Sequence, residues 1–270
     1  MSDQVAMELA TDRMIGVKEA GIGWITFNNP ARRNAISYEM RVALVKILTE
    51  FQRDDDVRVV VMKGAGDKAF VSGSDISEFK ERRATPEQAE EYRKASEDVD
   101  VAFEALEKPL IAMIQGACLG AGLGTALKAD LRVSTSDAQF GIPAARLGLV
   151  YNYPGLKRVV DIIGPARAME MLFTARRLSA DEAVQIGLVH EMTSADRLES
   201  RVRELAATIA KNAPISIRGA KIMIREMMKD PAERNLARCA AVVKEAFASE
   251  DYREGRTAFM EKREAHFKGR

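Results

Sequence analysis

Gly116, Gly120, Gly122 and Gly124 punctuate the run K-P-L-I-A-M-I-Q-G-A-C-L-G-A-G-L-G-T-A-L-K-A-D-L, residues 108–131. The apolar residues before them predict a strand, and the small residues after them predict a helix toward Asp130. A strand that feeds a helix through a tight glycine turn lets backbone N–H groups approach a negatively charged or bulky group, and the positive end of the helix adds to their pull. The spacing is not G-x-G-x-x-G, and no partner carboxylate of the dinucleotide type follows about 20 residues on. The run fits an anion or oxyanion site, and it equally fits close packing of two elements. A second turn rich in glycine and serine, 71–75, follows another apolar run, 57–62. If the two strands are neighbours, one N–H from each turn can converge on a single carbonyl oxygen, where each such donor is worth about 3 kcal/mol as charge develops.

The elements that must hold those turns read as a repeated β/α pattern. Segments 14–18 and 23–27 predict a hairpin around Gly21, ended by Asn28, Asn29 and Pro30. Ser37 can cap a helix over 38–52 whose apolar face is Met40, Leu44, Ile47, Leu48 and Phe51. The nearly continuous apolar run 57–62 suits a strand buried on both faces. Residues 64–76 read as a turn, and the charged residues 77–83 as a solvated lid segment over the pocket. Thr85 with Gln88 forms a capping-box pattern, with Pro86 at the first helical position, for a helix toward Leu106. After Asp130 come short pieces over 131–134 and 138–140. Two helices, 156–163 and 166–173, are separated by Gly164-Pro165, and a capped helix from Ser179 ends near Gly187. From about residue 195 the pattern is almost wholly helical. The expected organisation is a β/α core over 1–195 and a helical region over 196–270 with large apolar faces.

Composition narrows the function classes. The chain has 41 Lys plus Arg against 40 Asp plus Glu, so nothing global recruits nucleic acid or an anionic membrane. Cys118 and Cys239 are too few for a disulfide scaffold, and His190 and His266 stand in no ligand-spaced cluster, so no metal site is expected. No window resembles a membrane-spanning segment, and a cytoplasmic location is expected.

The sequence resembles the crotonase, or enoyl-CoA hydratase/isomerase, family. The matching segments are N-N-P-A-R-R-N-A-I-S (28–37), A-F-V-S-G-S-D-I (69–76), K-P-L-I-A-M-I-Q-G-A-C-L-G-A-G (108–122), A-D-L-R-V-S-T-S-D-A-Q-F-G-I-P (129–143), L-G-L-V (147–150), T-A-R-R-L-S-A-D-E-A-V-Q-I-G-L-V-H-E (174–191) and S-E-D-Y-R-E-G-R-T-A-F-M-E-K-R-E-A-H-F-K-G (249–269). They span nearly the whole chain in family order. The resemblance implies an α/β spiral of ββα units, a helical C-terminal trimerisation region, a homotrimer or dimer of trimers, and a coenzyme A thioester substrate with no separate cofactor. It puts the oxyanion-hole amides on Ser74 and Ala121. It puts CoA contacts on Arg32, Arg33, Ser72, Ser74, Asp75 and Ile76, and on Phe259, Lys262 and Phe267 of the C-terminal segment. A solvated arginine pair is the alternative for Arg32 and Arg33, and plain packing or a solvated charge for Phe259, Lys262 and Phe267.

The same resemblance exposes departures. Relatives carry two glutamates that exchange protons across the double bond; the corresponding positions here are Gly124 and Ala144, and neither side chain carries a proton. Tyr151, Asn152 and Tyr153 put hydroxyls and an amide where relatives have mostly backbone, and are candidate replacements. Filling the pocket wall is the alternative for the tyrosines. Arg146 is a candidate for a carboxylated acyl group, against an external ion pair. Glu78 and Glu81 are candidates to swing in from the lid, and Asp75 is expected to cap the next turn. Three functions fit: a hydratase-like lyase with altered acid/base groups, a CoA-thioester decarboxylase or C–C hydrolase, and a non-catalytic acyl-CoA-binding subunit.

Overall fold

The computed structural model describes residues 4–78, 82 and 84–270. Alternating pairs of strands and a helix repeat three times. Strand β4 (Val59–Gly64) is followed by β5 (Ala69–Val71), β6 (Leu110–Ile114) by β7 (Ala117–Leu119), and β8 (Leu131–Thr135) by β9 (Gln139–Gly141). The first strand of each pair joins a seven-stranded sheet with β1 (Val5–Ala6), β2 (Met14–Glu19), β3 (Ile22–Phe27) and β11 (Glu191–Thr193), in the order β1-β2-β3-β4-β6-β8-β11. The second strands form a smaller sheet, completed by β10 (Leu178–Ser179), in the order β10-β9-β7-β5. Helices α1 (Tyr38–Arg53), α2 (Pro86–Ala105), α3 (Ala121–Ala126) and α4 (Tyr153–Thr174) follow in turn. This is a spiral of ββα units.

The alternation along β4 shows why both sheet faces are covered. Val60 and Met62 point into the core that α1 and α2 close, whereas Val59 and Val61 pack on the opposite face against Leu198, Val202 and Ala206 of a later helix, α6 (Leu198–Ala210). A strand buried on both faces is apolar along its buried length, as residues 59–62 are; β4 begins two residues later than the run 57–62 suggested and ends in the half-buried Lys63 and Gly64. The expected caps are present: Ser37 accepts from the Met40 amide, and Thr85 and Ser179 each complete a capping box, Ser179 for α5 (Ala180–Gln185). Beyond α6, helices α7 (Pro214–Met227), α8 (Leu236–Ala248) and α9 (Glu250–Glu261) form the helical C-terminal part. Lys221 of α7 ties that part to the core, donating to the Lys108 carbonyl and to Asp130 Oδ2, each at 2.7 Å.

Several expectations change. Residues 64–76, read as a turn, contain β5, and residues 115–120 contain β7; both are three residues long, and they hold because they pair in parallel with each other. The helix expected toward Asp130 ends at Ala126. The two helices expected around Gly164 are the halves of α4, which starts earlier, at Tyr153, and kinks at Gly164, whose φ is 76°. Strands β1, β10 and β11 are additional.

Candidate active site

Strands β4 and β6 are parallel neighbours, as are β5 and β7, so the two glycine-containing turns lie side by side. After β5 the chain crosses to Ile36, the residue that leads into α1. The Ile36 amide donates to the Gly73 carbonyl at 2.8 Å, and the Asp75 amide donates to the Ile36 carbonyl at 3.0 Å. Ser74 lies between these two bonds, and its own amide donates to no acceptor among the described residues. The Asp75 carboxylate accepts from the Ser77 amide and hydroxyl at 3.0 and 2.6 Å, the capping role its sequence position suggests.

The second turn is built by two glycines. Gly120 has φ 55° and ψ −123°, a conformation a side chain strains against. Gly122 packs so closely on β5 that an added Cβ would lie 2.0 Å from the Val71 carbonyl oxygen. Between them stands Ala121, the first residue of α3, whose amide also has no acceptor among the described residues. Ser74 and Ala121 both line one cavity of about 290 Å³, shared with Gly124, Tyr151 and Asn152.

Gly124 faces open space: a side chain built there meets nothing within 4 Å. Tyr151 is half-buried against the core, and burial holds its hydroxyl above the usual tyrosine pKa. It therefore remains a neutral hydrogen-bond donor near pH 7. The Asn152 side chain also makes a helix cap: its Oδ1 accepts from the Gly155 amide at 3.2 Å at the start of α4. Tyr153 is 76% exposed and does not line this cavity, so of the two tyrosines the structure brings only Tyr151 to it.

Other sequence candidates lie outside. Arg146 is exposed and off the cavity wall, and Ala144 is buried in the core and is likewise not on the wall. Glu78 is fixed, its Oε2 accepting from the Tyr38 amide at 2.8 Å, and Glu81 lies outside the described residues. Arg32 and Arg33 are exposed on the turn before α1; the Arg33 carbonyl accepts from the Ser72 amide and the Arg32 carbonyl from its hydroxyl. That places Arg32, Arg33, Ser72 and the exposed Ile76 around the Ser74 turn. Phe259 and Phe267 line a separate apolar groove in the C-terminal helices, and Lys262 caps α9 in the left-handed region. Cys118 is buried in β7, and burial pushes its thiol pKa up, away from reactivity.

The cavity also contains residues that sequence reasoning missed. Arg41, Tyr92, Ser96, Thr125, Lys128 and Arg158 line it, with Asp100 held by Lys128 at 2.6 Å. One signal pointed to Arg41: it lies at the helical spacing of Leu44 and Leu48, a charge on an apolar face.

The profile of the enoyl-CoA hydratase/isomerase family matches residues 17–270. The chain is 34% identical over 265 residues to a short-chain-enoyl-CoA hydratase of Clostridium acetobutylicum, covering 98% of this chain and 100% of that one. It is 32% identical to a crotonyl-CoA hydratase of Syntrophomonas wolfei, covering 96% and 99%. A crystal structure of an enoyl-CoA hydratase/carnithine racemase from Magnetospirillum magneticum superposes with a TM-score of 0.90 at 34% identity, covering 97% of both chains. The chain belongs to the enoyl-CoA hydratase/isomerase family, the crotonase family of acyl-CoA-processing enzymes. Among the described residues no helix is long and apolar enough to cross a membrane.

Proposed function

We propose that this enzyme is a hydratase-like lyase that binds the thioester carbonyl of an acyl-CoA between the Ser74 and Ala121 amides and stabilises the enolate formed there. One observation carries the reading: Ser74 and Ala121, from neighbouring turns, line the same cavity, and neither backbone amide has a protein acceptor among the described residues. Donors fixed by the backbone need no reorganisation as charge develops on oxygen, and one such donor contributes about 3 kcal/mol. The hydratases among the relatives support the acyl-CoA class of substrate.

Tyr151 is the proton donor in this reading: its O–H protonates the α-carbon as water adds to the β-carbon, and the phenolate oxygen takes up the proton that the water loses. Its hydroxyl is neutral and adjoins the Gly120 turn, whereas Gly124 and Ala144 carry no proton. Arg32, Arg33, Ser72, Asp75 and Ile76 border the path of the CoA chain. Residues 1–195 make up the thioester-handling unit, and residues 196–270 supply oligomer contacts. The exposed Phe259 and Met260 sit beside an apolar groove of about 950 Å³ that suits a second copy of the chain, giving a homotrimer or a dimer of trimers in which Phe259 and Lys262 reach CoA.

A second reading is decarboxylation or C–C hydrolysis of a CoA thioester, favoured by the same lack of an acid at positions 124 and 144. Mass spectrometry of crotonyl-CoA, dicarboxylyl-CoAs and cyclic ketoacyl-CoAs after incubation separates the two. Gain of one water on crotonyl-CoA supports the lyase, and loss of carbon dioxide or ring opening supports the second reading. Binding with every thioester unchanged contradicts both and leaves an acyl-CoA-binding subunit.

A further inference from the structure

We infer that Arg41 is a positioning residue that holds the Ser74 amide in place for the thioester oxygen. The inference rests on the oxyanion reading above and adds to it a side chain that neither sequence motifs nor the family assignment single out. Arg41 lies in the first turn of α1 and is only 7% exposed. Its Nη1 donates to the Ile36 carbonyl at 2.9 Å and to the Ser37 carbonyl at 3.0 Å, and its Nη2 donates to Ser74 Oγ at 2.9 Å. The Ile36 carbonyl it grips is the acceptor of the Asp75 amide, and the Ile36 amide is held by Gly73, so one guanidinium engages both sides of the bridge on which Ser74 sits.

The Tyr92 ring of α2 closes the other face, with the guanidinium carbon 4.6 Å from its centroid. A planar fork with several donors can hold three acceptors in fixed directions, which an ammonium cannot reproduce. Ser74 joins no regular strand ladder, so the direction of its amide depends on these few bonds. A misplacement of about 1 Å at such a donor costs roughly 10²-fold in rate.

The test reads the carbonyl stretch of butyryl-CoA, whose acyl chain has no double bond to hydrate, carbon-13 labelled at the thioester carbonyl and bound to the enzyme, by difference infrared spectroscopy. Wild type, Arg41→Lys, Arg41→Met and Ser74→Ala are compared, with affinity measured in parallel. The wild-type enzyme lowers the stretch. Arg41→Met loses at least half of that shift while its Kd stays within about threefold of wild type, because the stretch reads the direction of one hydrogen bond at the carbonyl whereas affinity is spread over contacts along the whole CoA thioester. Arg41→Lys recovers part of it. A folded Arg41→Met with the full wild-type shift overturns the inference and leaves the proposed function standing. No shift in the wild-type enzyme overturns the oxyanion reading and this inference together. If Arg41→Met does not fold, Ser74→Ala decides, since it removes only the gripped hydroxyl: a reduced shift supports the inference and a full one overturns it.

Discussion

The Tyr151 hydroxyl stands 3.4 Å from the point where a β-carbon on Gly120 would sit, beside the turn that presents the Ala121 amide. Tyr151 lines the same cavity as Ser74 and Ala121, where position 124 contributes no side chain. Tyr151→Phe keeps the ring and its packing and removes only the proton. Turnover falls by about 10²-fold with little change in thioester affinity.

The pH dependence of that step follows from burial. The Tyr151 hydroxyl is held above its ordinary value of 10.0, so the acid form persists through neutrality. Because the folded value is the higher one, the stability it contributes is present below pH 10 and is lost as the pH rises further. Rate profiles show no Tyr151-dependent loss below about pH 10, and the fall beyond it is missing from the residual activity of Tyr151→Phe.

Two glycines two residues apart on α3 respond oppositely to substitution. Gly122→Ala drives a methyl into the Val71 carbonyl oxygen at 2.0 Å, and chemical denaturation records a loss of about 3 kcal/mol or more. Gly124→Ala meets nothing within 4 Å and removes helix-interior glycine entropy, so its stability is unchanged or rises by up to about 1 kcal/mol. Gly124→Glu starts from the same uncrowded Cβ position and puts an acid on a residue that lines the cavity; crotonyl-CoA hydration by that variant rises at least about tenfold.

Lys221 gives the core its own alkaline signature. Burial outweighs the Asp130 carboxylate and lowers the ammonium pKa to about 8, from 10.5. The unfolded chain therefore holds this proton more tightly between those values, and stability rises with pH across that window. In paired denaturation curves, wild type gains on Lys221→Met as pH climbs from about 8 to about 10.5, at up to about 1.4 kcal/mol per pH unit. A flat difference means that Asp130 offsets the burial.

Assembly is tested at α9. Phe259 is 82% exposed beside the apolar groove, and Phe259→Asp places a charge where the second copy is proposed to dock. Light scattering gives a trimer or hexamer for wild type and mostly monomer for the variant.

What the sequence could reveal about this site follows from how local each feature is. Strand β6 and the caps at Ser37, Thr85 and Ser179 have local signals and stand as expected, and the double-sided β4 is legible too but runs from Val59 to Gly64, two residues beyond the expected 57–62. Strands β5, β7, β10 and β11 have two or three residues, too few for any periodicity, and owe their form to distant partners. Gly122 is legible as a glycine, but the carbonyl that requires it belongs to Val71, 51 positions earlier. Arg41 reaches Ser74 across 33 positions, a pairing no local pattern encodes. Asn152 shows the converse: its helix cap is local, to the Gly155 amide three positions on, yet it also lines the cavity, and sequence alone does not separate the two roles.

The central claim is that a thioester bound between Ser74 and Ala121 is turned over without a glutamate at position 124 or 144. Incubation of crotonyl-CoA with purified enzyme in heavy-oxygen water, followed by mass spectrometry, tests it most directly. The account predicts a product that has gained one labelled water, formed far more slowly by Tyr151→Phe. Crotonyl-CoA recovered unchanged from saturated wild-type enzyme would contradict it.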